Sequence, residues 1–559
     1  MHKWLALAAI PLGIQISWGA SIPEISRVLN AASYALDGLP NAGIAQGSMF
    51  TIFGQNLGPG TLQQASLPLP RSLAGTSVRV TVGGTANDAI LVYSYSTQVA
   101  AVLPSATPTG DGTLTVTYQG QVSDAAPIHV VGSAFGILTR NSAGSGPAII
   151  QNWSPTAAPP NTLTQAARPG QLMVLWGTGL GPVSFDETVA PQAANLSVAV
   201  DVLVGNQTAT VLYKGRSPEF PGLDQINFQL PGQAALGCYV PVAVRAAGVT
   251  SNFVTISISP NGGTCSDSMG FRAADLEIAQ NVGQFRIGSF AIGRLGSAAV
   301  GMRDAAEVSV QSYDPLTLLQ VLGVADAPRA FETGQPPYGT CVVRTGVVDP
   351  TNPLSFPHDP VHPTDLSDGP GILTLKGPQG TKTLLASGGT NLGGGITGWT
   401  PNYGPAFLLP GVYTLDNSTG STAVGPFRAT LTLPTPLNWT NADTISSVPR
   451  TQDLTVTWSG GDPGKEYTII TGISASGGSE GVLGAFLCTE RADAGQFTIP
   501  SVVLSSLPAS GSLGTPTGPA GFLEVGSSSI PEASRFQAQG LDAAYFMYEM
   551  SNVKLVGYQ

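Results

Sequence analysis

The densest set of potential metal ligands lies in SFPHDPVHPTDLSDGPG, residues 355–371. His358 and His362 stand four apart, a spacing that sets two imidazoles on one metal when the segment is helical. Pro357, Pro360, Pro363 and Pro370 forbid that helix. What remains is an oxygen-rich loop whose Asp359, Asp365 and Asp368 could hold Ca2+, a hard cation that takes carboxylate ligands. The D-x-[DN]-x-[DN]-G order of a Ca2+ loop is missing. The segment therefore reads first as a solvated loop and second as a Ca2+ or other weak metal site built from His358, His362, Asp365 and Asp368.

Other chemistry has thinner support. No G-x-S-x-G nucleophile elbow occurs. Beyond the N-terminal segment the histidines are His129, His358 and His362, and His129 sits in the strand-like run Ile128–Val131. Glycosidase chemistry needs two carboxylates across a cleft. Among 34 Asp and Glu no pair is singled out, and Asp462 in GGDPGKEY reads as a turn former. Sugar stacking has better candidates. Trp153, Trp399 and Trp439 fall in loops or at strand ends, where an aromatic ring is available to a glycan, whereas Trp176 and Trp458 read as core. Asn152, Asn195, Asn206, Asn417 and Asn438 begin N-x-S/T sequons.

A glycine-rich turn raises a different question. FTIFGQNLGPG (50–60) returns as MVLWGTGLGPV (173–183). A phosphate cradle needs such a turn at the start of a helix, usually with a Lys. No helical pattern and no Lys follow either copy, so the glycines read as a tight corner or bulge. The similarity continues downstream: VRVTVGG (78–84) with VAVDVLVG (198–205), QVAAVLP (98–104) with QINFQLP (225–231), and 112–131 with 238–258. Self-similarity over roughly 125 residues marks duplicated domains. Phe53 and Trp176 are expected at equivalent core positions of the two copies.

The elements that position these residues are short strands. Gly 70 and Pro 45 in 559 residues, with only 10% charged residues and 42% hydrophobic ones, describe packed strands joined by turns. Val78–Val82, Leu114–Tyr118, Phe253–Ile258 and Leu454–Trp458 alternate, and no long amphipathic helix is visible; Val502–Leu507 is expected as one helical turn. The predicted fold is all-β: tandem immunoglobulin-like β-sandwiches in a multi-domain chain. The expected units are a signal peptide at 1–20, sandwiches at 22–133 and 134–265, a β-rich module with long loops at 266–433 and a C-terminal sandwich at 434–559.

Net charge and the N-terminus bound the setting. A formal charge of -11 argues against a nucleic-acid surface and against adhesion to anionic lipid. His2 and Lys3, the apolar Trp4–Ile16 and the small residues Ser17 and Gly19 read as a signal peptide. No other run reaches membrane-spanning length. The chain is expected to be exported to the extracellular space, the cell surface or the periplasm. Cys238, Cys265, Cys341 and Cys488 allow three disulfide pairings. The simplest joins neighbours in sequence, and each bond of this kind contributes about 3–4 kcal/mol. Metal ligation is the rival reading, but no C-x-x-C pair exists.

The stretches NAASY (30–34), GSMFTIFGQNLG (47–58), LWGTGLGPV (175–183) and GLDQINFQLPG (222–232) resemble secreted acidobacterial proteins. These carry the Solibacter-type uncharacterised C-terminal domain, which is related to IPT/TIG immunoglobulin-fold repeats. The resemblance covers about residues 25–265. A second β-module of acidobacterial type resembles 410–559. The resemblance implies exported tandem β-sandwiches and brings no biochemical activity with it. Together the residues point to an exported, non-catalytic protein for binding, adhesion or scaffolding, without a bound cofactor unless Ca2+. The expected partner is an extracellular glycan or an envelope protein. The alternatives are a carbohydrate-binding accessory of secreted polysaccharide breakdown and a hydrolase with its site in 266–559.

Overall fold

The computed structural model describes residues 21–267, 272–282, 284–297, 301–313, 335–347, 364–366, 369–384, 388–393, 406–476, 481–510 and 521–559. The signal-peptide expectation at 1–20 lies outside the described residues. The fold is all-β, a series of tandem immunoglobulin-like sandwiches.

The first sandwich packs a five-stranded sheet on a seven-stranded one. Glu24–Asn30, Met49–Gln55, Gln98–Val102 and Ile90–Ser94 run side by side in the first sheet, and Thr76–Val82, Gly110–Tyr118 and Ala126–Val131 lie in the second. Alternation in these strands sends Phe50, Ile52, Val78, Val80, Val99, Ala101, Leu114 and Val116 into a common core.

The second sandwich repeats the plan. Leu172–Thr178 pairs with Asp224–Gln229, as Met49–Gln55 pairs with Gln98–Val102. The strand Gln207–Arg216 pairs with Asp224–Gln229 on one side and Val200–Val204 on the other, so one ten-stranded sheet wraps the core of Met173, Leu175, Val202, Ile226, Phe228 and Val242. Ile150–Trp153, a strand laid along the connection between the copies, extends the sheet beyond Leu172–Thr178.

The glycines of the repeated turn report close backbone approach. A Cβ on Gly54 would stand 1.9 Å from the Glu24 carbonyl oxygen, and one on Gly177 would stand 2.3 Å from that of Gly136. Each glycine lets the neighbouring strand pass at hydrogen-bonding range. Gly54→Ala is expected to destabilise the first sandwich by about 1–3 kcal/mol, because a backbone atom rather than a flexible side chain must move. Urea unfolding checks this; an unchanged midpoint would show that the strands relax apart freely.

Beyond residue 266 a second ten-stranded sheet forms. Its order is Thr340–Val347, Val482–Arg491, Glu466–Ala475, Gly521–Ser529, Ala543–Leu555, Phe285–Ser297, Gly301–Tyr313 and Thr364–Asp365, with two shorter strands alongside. Phe285–Ser297 and Ala543–Leu555 pair in parallel across more than half the length of this region. Ser501–Leu504 is a helical turn, and Ala273–Val282 is a ten-residue helix that the sequence pattern does not show.

Two disulfides join Cys238 to Cys265 and Cys341 to Cys488. Cys238 and Tyr239 of the second sandwich share a core with Leu276, Phe285 and Tyr545 of the later sheet. Ala243 and Phe253 pack with Cys341, Val343 and Phe486. One face of the second sandwich is thereby covered.

Candidate functional site

The second copy of the glycine turn does hold an anion, but one of the chain's own. The Gly179 and Leu180 N–H groups both donate to Asp224 Oδ2 at 2.7 Å. Arg216 forms an ion pair with the same carboxylate through Nη1. Its Nη2 donates to the carbonyls of Gly181 and, in the first sandwich, Gly47, both at 2.7 Å. Arg216 is 1% and Asp224 0% exposed. Burial pushes the Asp224 carboxyl up, while Arg216 and the two amides pull it down.

Around this pair Ser105 donates to Glu187 from its N–H and hydroxyl at 2.8 and 2.7 Å. The Met49 N–H donates to Thr178 Oγ1 at 2.8 Å. The loop at 220–222 also packs Phe220 and Gly222 against Met49 and Val102. The turn is the joint between the sandwiches, with no room for an external ligand.

The candidate metal ligands His358, His362 and Asp368 lie outside the described residues, as does Trp399. Asp365 is exposed and accepts a hydrogen bond from Gln311 Nε2 at 3.1 Å. Among the described residues no group of three His, Cys, Asp or Glu is placed to hold a metal. His129 points outward from its strand against Asp111. Asp462 caps its turn through the Gly464 N–H at 3.0 Å and pairs with Lys465.

The tryptophans sort by register. Trp439 is 7% exposed and sits in a core beside Trp458, to which it is paired across strands. Its ring is part of that core rather than a surface. Trp176 differs from expectation in the other direction. Met173 and Leu175 point into the core, so Trp176 falls on the outer face and is half-buried. Phe53 occupies the equivalent outer position of the first copy, since Phe50 and Ile52 fill the core there.

That outer face is the open side of the second sandwich. Cross-strand pairing lays out three rows: Trp153, Leu172, Gln229 and Thr210; Gln151, Val174, Asn227 and Tyr213; Trp176, Gln225 and Gly215. Trp153 is 40% exposed, and Leu212, in the bulge between Val211 and Tyr213 three strands away, is 55% exposed. Trp176 Nε1 donates to Gln151 Oε1 at 3.3 Å, and Gln225 Nε2 to Asn227 Oδ1 at 2.8 Å. These bonds tie Gln151 to Trp176 and Gln225 to Asn227. None of the eleven positions in the three rows carries a charge. The signal for the amide stripe stood in QINFQ (225–229), where polar and apolar residues alternate.

A second polar cluster lies on the later sheet. Glu524 and Glu549 share one face and hydrogen-bond to each other, with Gly526 and Ser551 between them in the ladder and Tyr467 on the adjacent strand. Burial raises the carboxyl of Glu524, and burial together with Glu524 raises that of Glu549 well above the ordinary range. Folded-state values raised above the unfolded ones give stability that is full at acid pH and lost as pH rises through them. Glu549→Gln is therefore expected to stabilise the chain by about 1–3 kcal/mol at pH 8 and to change little at pH 4. Thermal unfolding at both values checks this; equal shifts would contradict it.

The fold and its open face define a tandem immunoglobulin-like β-sandwich protein. Within it, the model of the IPT/TIG domain family matches residues 39–130, inside the first sandwich. No curated protein matches the chain. Among solved structures the chain is similar to the extracellular region of plexin A4, domains 1 to 8, at 13% identity; the match covers 41% of this chain and 17% of that one, TM-score 0.15. It is also similar to SGBP-B from a xyloglucan utilization locus of Bacteroides uniformis, at 11% identity over 96% of this chain and 100% of that one, TM-score 0.16. The I9–I11 tandem of titin is similar at 8% identity over 70% and 93%, TM-score 0.12. Scores of this size carry no inference about function. Among the described residues no helix is long and apolar enough to cross a membrane.

Proposed function

We propose that this is an exported binding protein whose second sandwich holds a neutral glycan on its open face, without catalysis. The observation that carries the reading is the charge-free face on which Trp153, Trp176 and Tyr213 surround Gln151, Gln225, Asn227 and Gln229. Aromatic rings offer large rigid apolar area to the C–H faces of sugar rings. An amide carries a donor and an acceptor on one planar group, which matches a hydroxyl that does both. A face without charge suits a neutral polysaccharide rather than an acidic one. Two disulfides and the IPT/TIG match accord with an extracellular setting, and kinship with the Solibacter-type secreted proteins belongs to the same reading.

Affinity electrophoresis tests it directly. Gels containing hydroxyethylcellulose, glucomannan, mixed-linkage β-glucan or starch are expected to retard the chain in at least one case, and alginate gels in none. Unaltered mobility in all four neutral gels would overturn the proposal.

A further inference from the structure

The open face of the second sandwich has a counterpart in the first. Phe53 stands opposite Gln98 in the ladder, as Trp176 stands opposite Gln225. Two residues beyond each Gln, Ala100 faces Tyr93 and Asn227 faces Tyr213. Both tyrosines directly follow a bulge, between Leu91 and Tyr93 in one copy and between Val211 and Tyr213 in the other. The duplication has thus kept a ring, an amide and a tyrosine at matching register positions on the outer face, where the core does not require them.

In the first copy Gln98 Nε2 donates to the Tyr93 hydroxyl at 2.6 Å, and Tyr34 lies against Phe53 with ring centroids 6.2 Å apart. All four side chains are half-buried. Arg27 pairs across the ladder with Phe53, and Glu24 with Gln55 two residues further along. The lower part of the same face is closed by the joint, where Phe220 packs on Met49, Ile90 and Val102. The upper part is left as a small aromatic and amide surface.

The joint also sets the spacing. Trp176 is two residues from Thr178, whose hydroxyl is 2.8 Å from the Met49 N–H, and Met49 is four residues from Phe53. At about 3.3 Å per residue the Cα atoms of Trp176 and Phe53 lie no more than roughly 27 Å apart. The buried Arg216–Asp224 pair, bonded to both sandwiches, holds that geometry.

We infer that Phe53, Tyr34, Tyr93 and Gln98 form a second subsite for the same class of neutral glycan, so that one polysaccharide chain engages both sandwiches at once. The inference rests on the glycan-binding reading of the second sandwich. It adds a second contact whose effective concentration is set by the span of the joint and is largest when the glycan between the two contacts matches that span.

Calorimetric titration with cellotetraose, mannotetraose and maltotetraose, and with hydroxyethylcellulose, glucomannan and starch, tests it on the full chain. The expected result is two tetraose sites per chain and about 10²-fold tighter binding of the matching polymer. Phe53→Ala and, as a milder change that spares the Tyr34–Phe53 ring contact, Gln98→Ala should each leave one tetraose site and remove the polymer advantage. Circular dichroism melting confirms that each variant is folded. One tetraose site in the wild type, with polymer affinity indifferent to Gln98→Ala, would overturn the second subsite while leaving the second sandwich as a binding site. Absence of any binding, or binding indifferent to Trp153 and Trp176, would overturn both.

Discussion

The double variant Trp153→Ala/Trp176→Ala is expected to bind its neutral polysaccharide roughly 30- to 1,000-fold more weakly than the wild type. Aromatic anchors that dominate a binding surface contribute about 1–2 kcal/mol or more each on truncation, and two of them sum to that range. The fold should tolerate the change. Trp153 is 40% exposed at the sheet edge, and Trp176 lies outside the core of Met173, Leu175 and Phe228. Affinity electrophoresis of the purified variant measures the loss, and the melting curve shows that it is not unfolding. Equal retardation of variant and wild type would remove the second sandwich from the binding account. Trp439→Ala is the instructive contrast: its ring fills a core beside Trp458, so its loss acts through stability.

The second large effect concerns the joint. Arg216→Ala is expected to cost about 3–5 kcal/mol, because it strands the Asp224 carboxylate in an interior without its partner. It also leaves the carbonyls of Gly47 and Gly181 without the guanidinium. For units of this size the first thermal transition should fall by roughly 10–25 °C. Replacing both partners with apolar residues of similar volume, as in R216M/D224L, should recover only the part of the loss that lies in the unpaired charge, since the Gly179 and Leu180 N–H groups and the Gly47 and Gly181 carbonyls stay without their partners. A first transition unchanged in Arg216→Ala would mean that water reaches Asp224 and that the joint is looser than its burial implies.

The same residues show what the sequence reveals and what it hides. The duplication was legible because whole strands and their corners recur, from GSMFTIFGQNLG to LWGTGLGPV. The phase of one strand was not. Leu172-Met173-Val174-Leu175-Trp176 is apolar at every position, so alternation offers no cue to which residues face in, and Trp176 reads as core as readily as Leu175. Only pairing with Gln225 and Asn227 settles the face.

The charged joint had a visible signal of another kind. Arg216 and Asp224 stand on either side of SPEFPGL (217–223) in a chain with only 10% charged residues. Their partnership, however, depends on two strands coming side by side. The pairing of Phe285–Ser297 with Ala543–Leu555 left no local trace at all, since a parallel ladder between distant segments is decided by packing and not by neighbours in sequence.

The glycine turn changes meaning between the two views. Its N–H groups are aimed as an anion cradle would aim them, and the anion they hold is Asp224. The sequence argument against a phosphate site stands on the lack of a helix and a Lys. The structure adds the positive reason, which is that the site is filled from within.

Hydrogen–deuterium exchange of the full chain, with and without the neutral polysaccharide that retards it, tests the central claim most directly. The account predicts slowed exchange in Ile150–Trp153, Leu172–Thr178 and Asp224–Gln229, the strands that carry the rings and amides of the open face. Protection confined to residues beyond 266, or no neutral polysaccharide that protects these three strands, would contradict it.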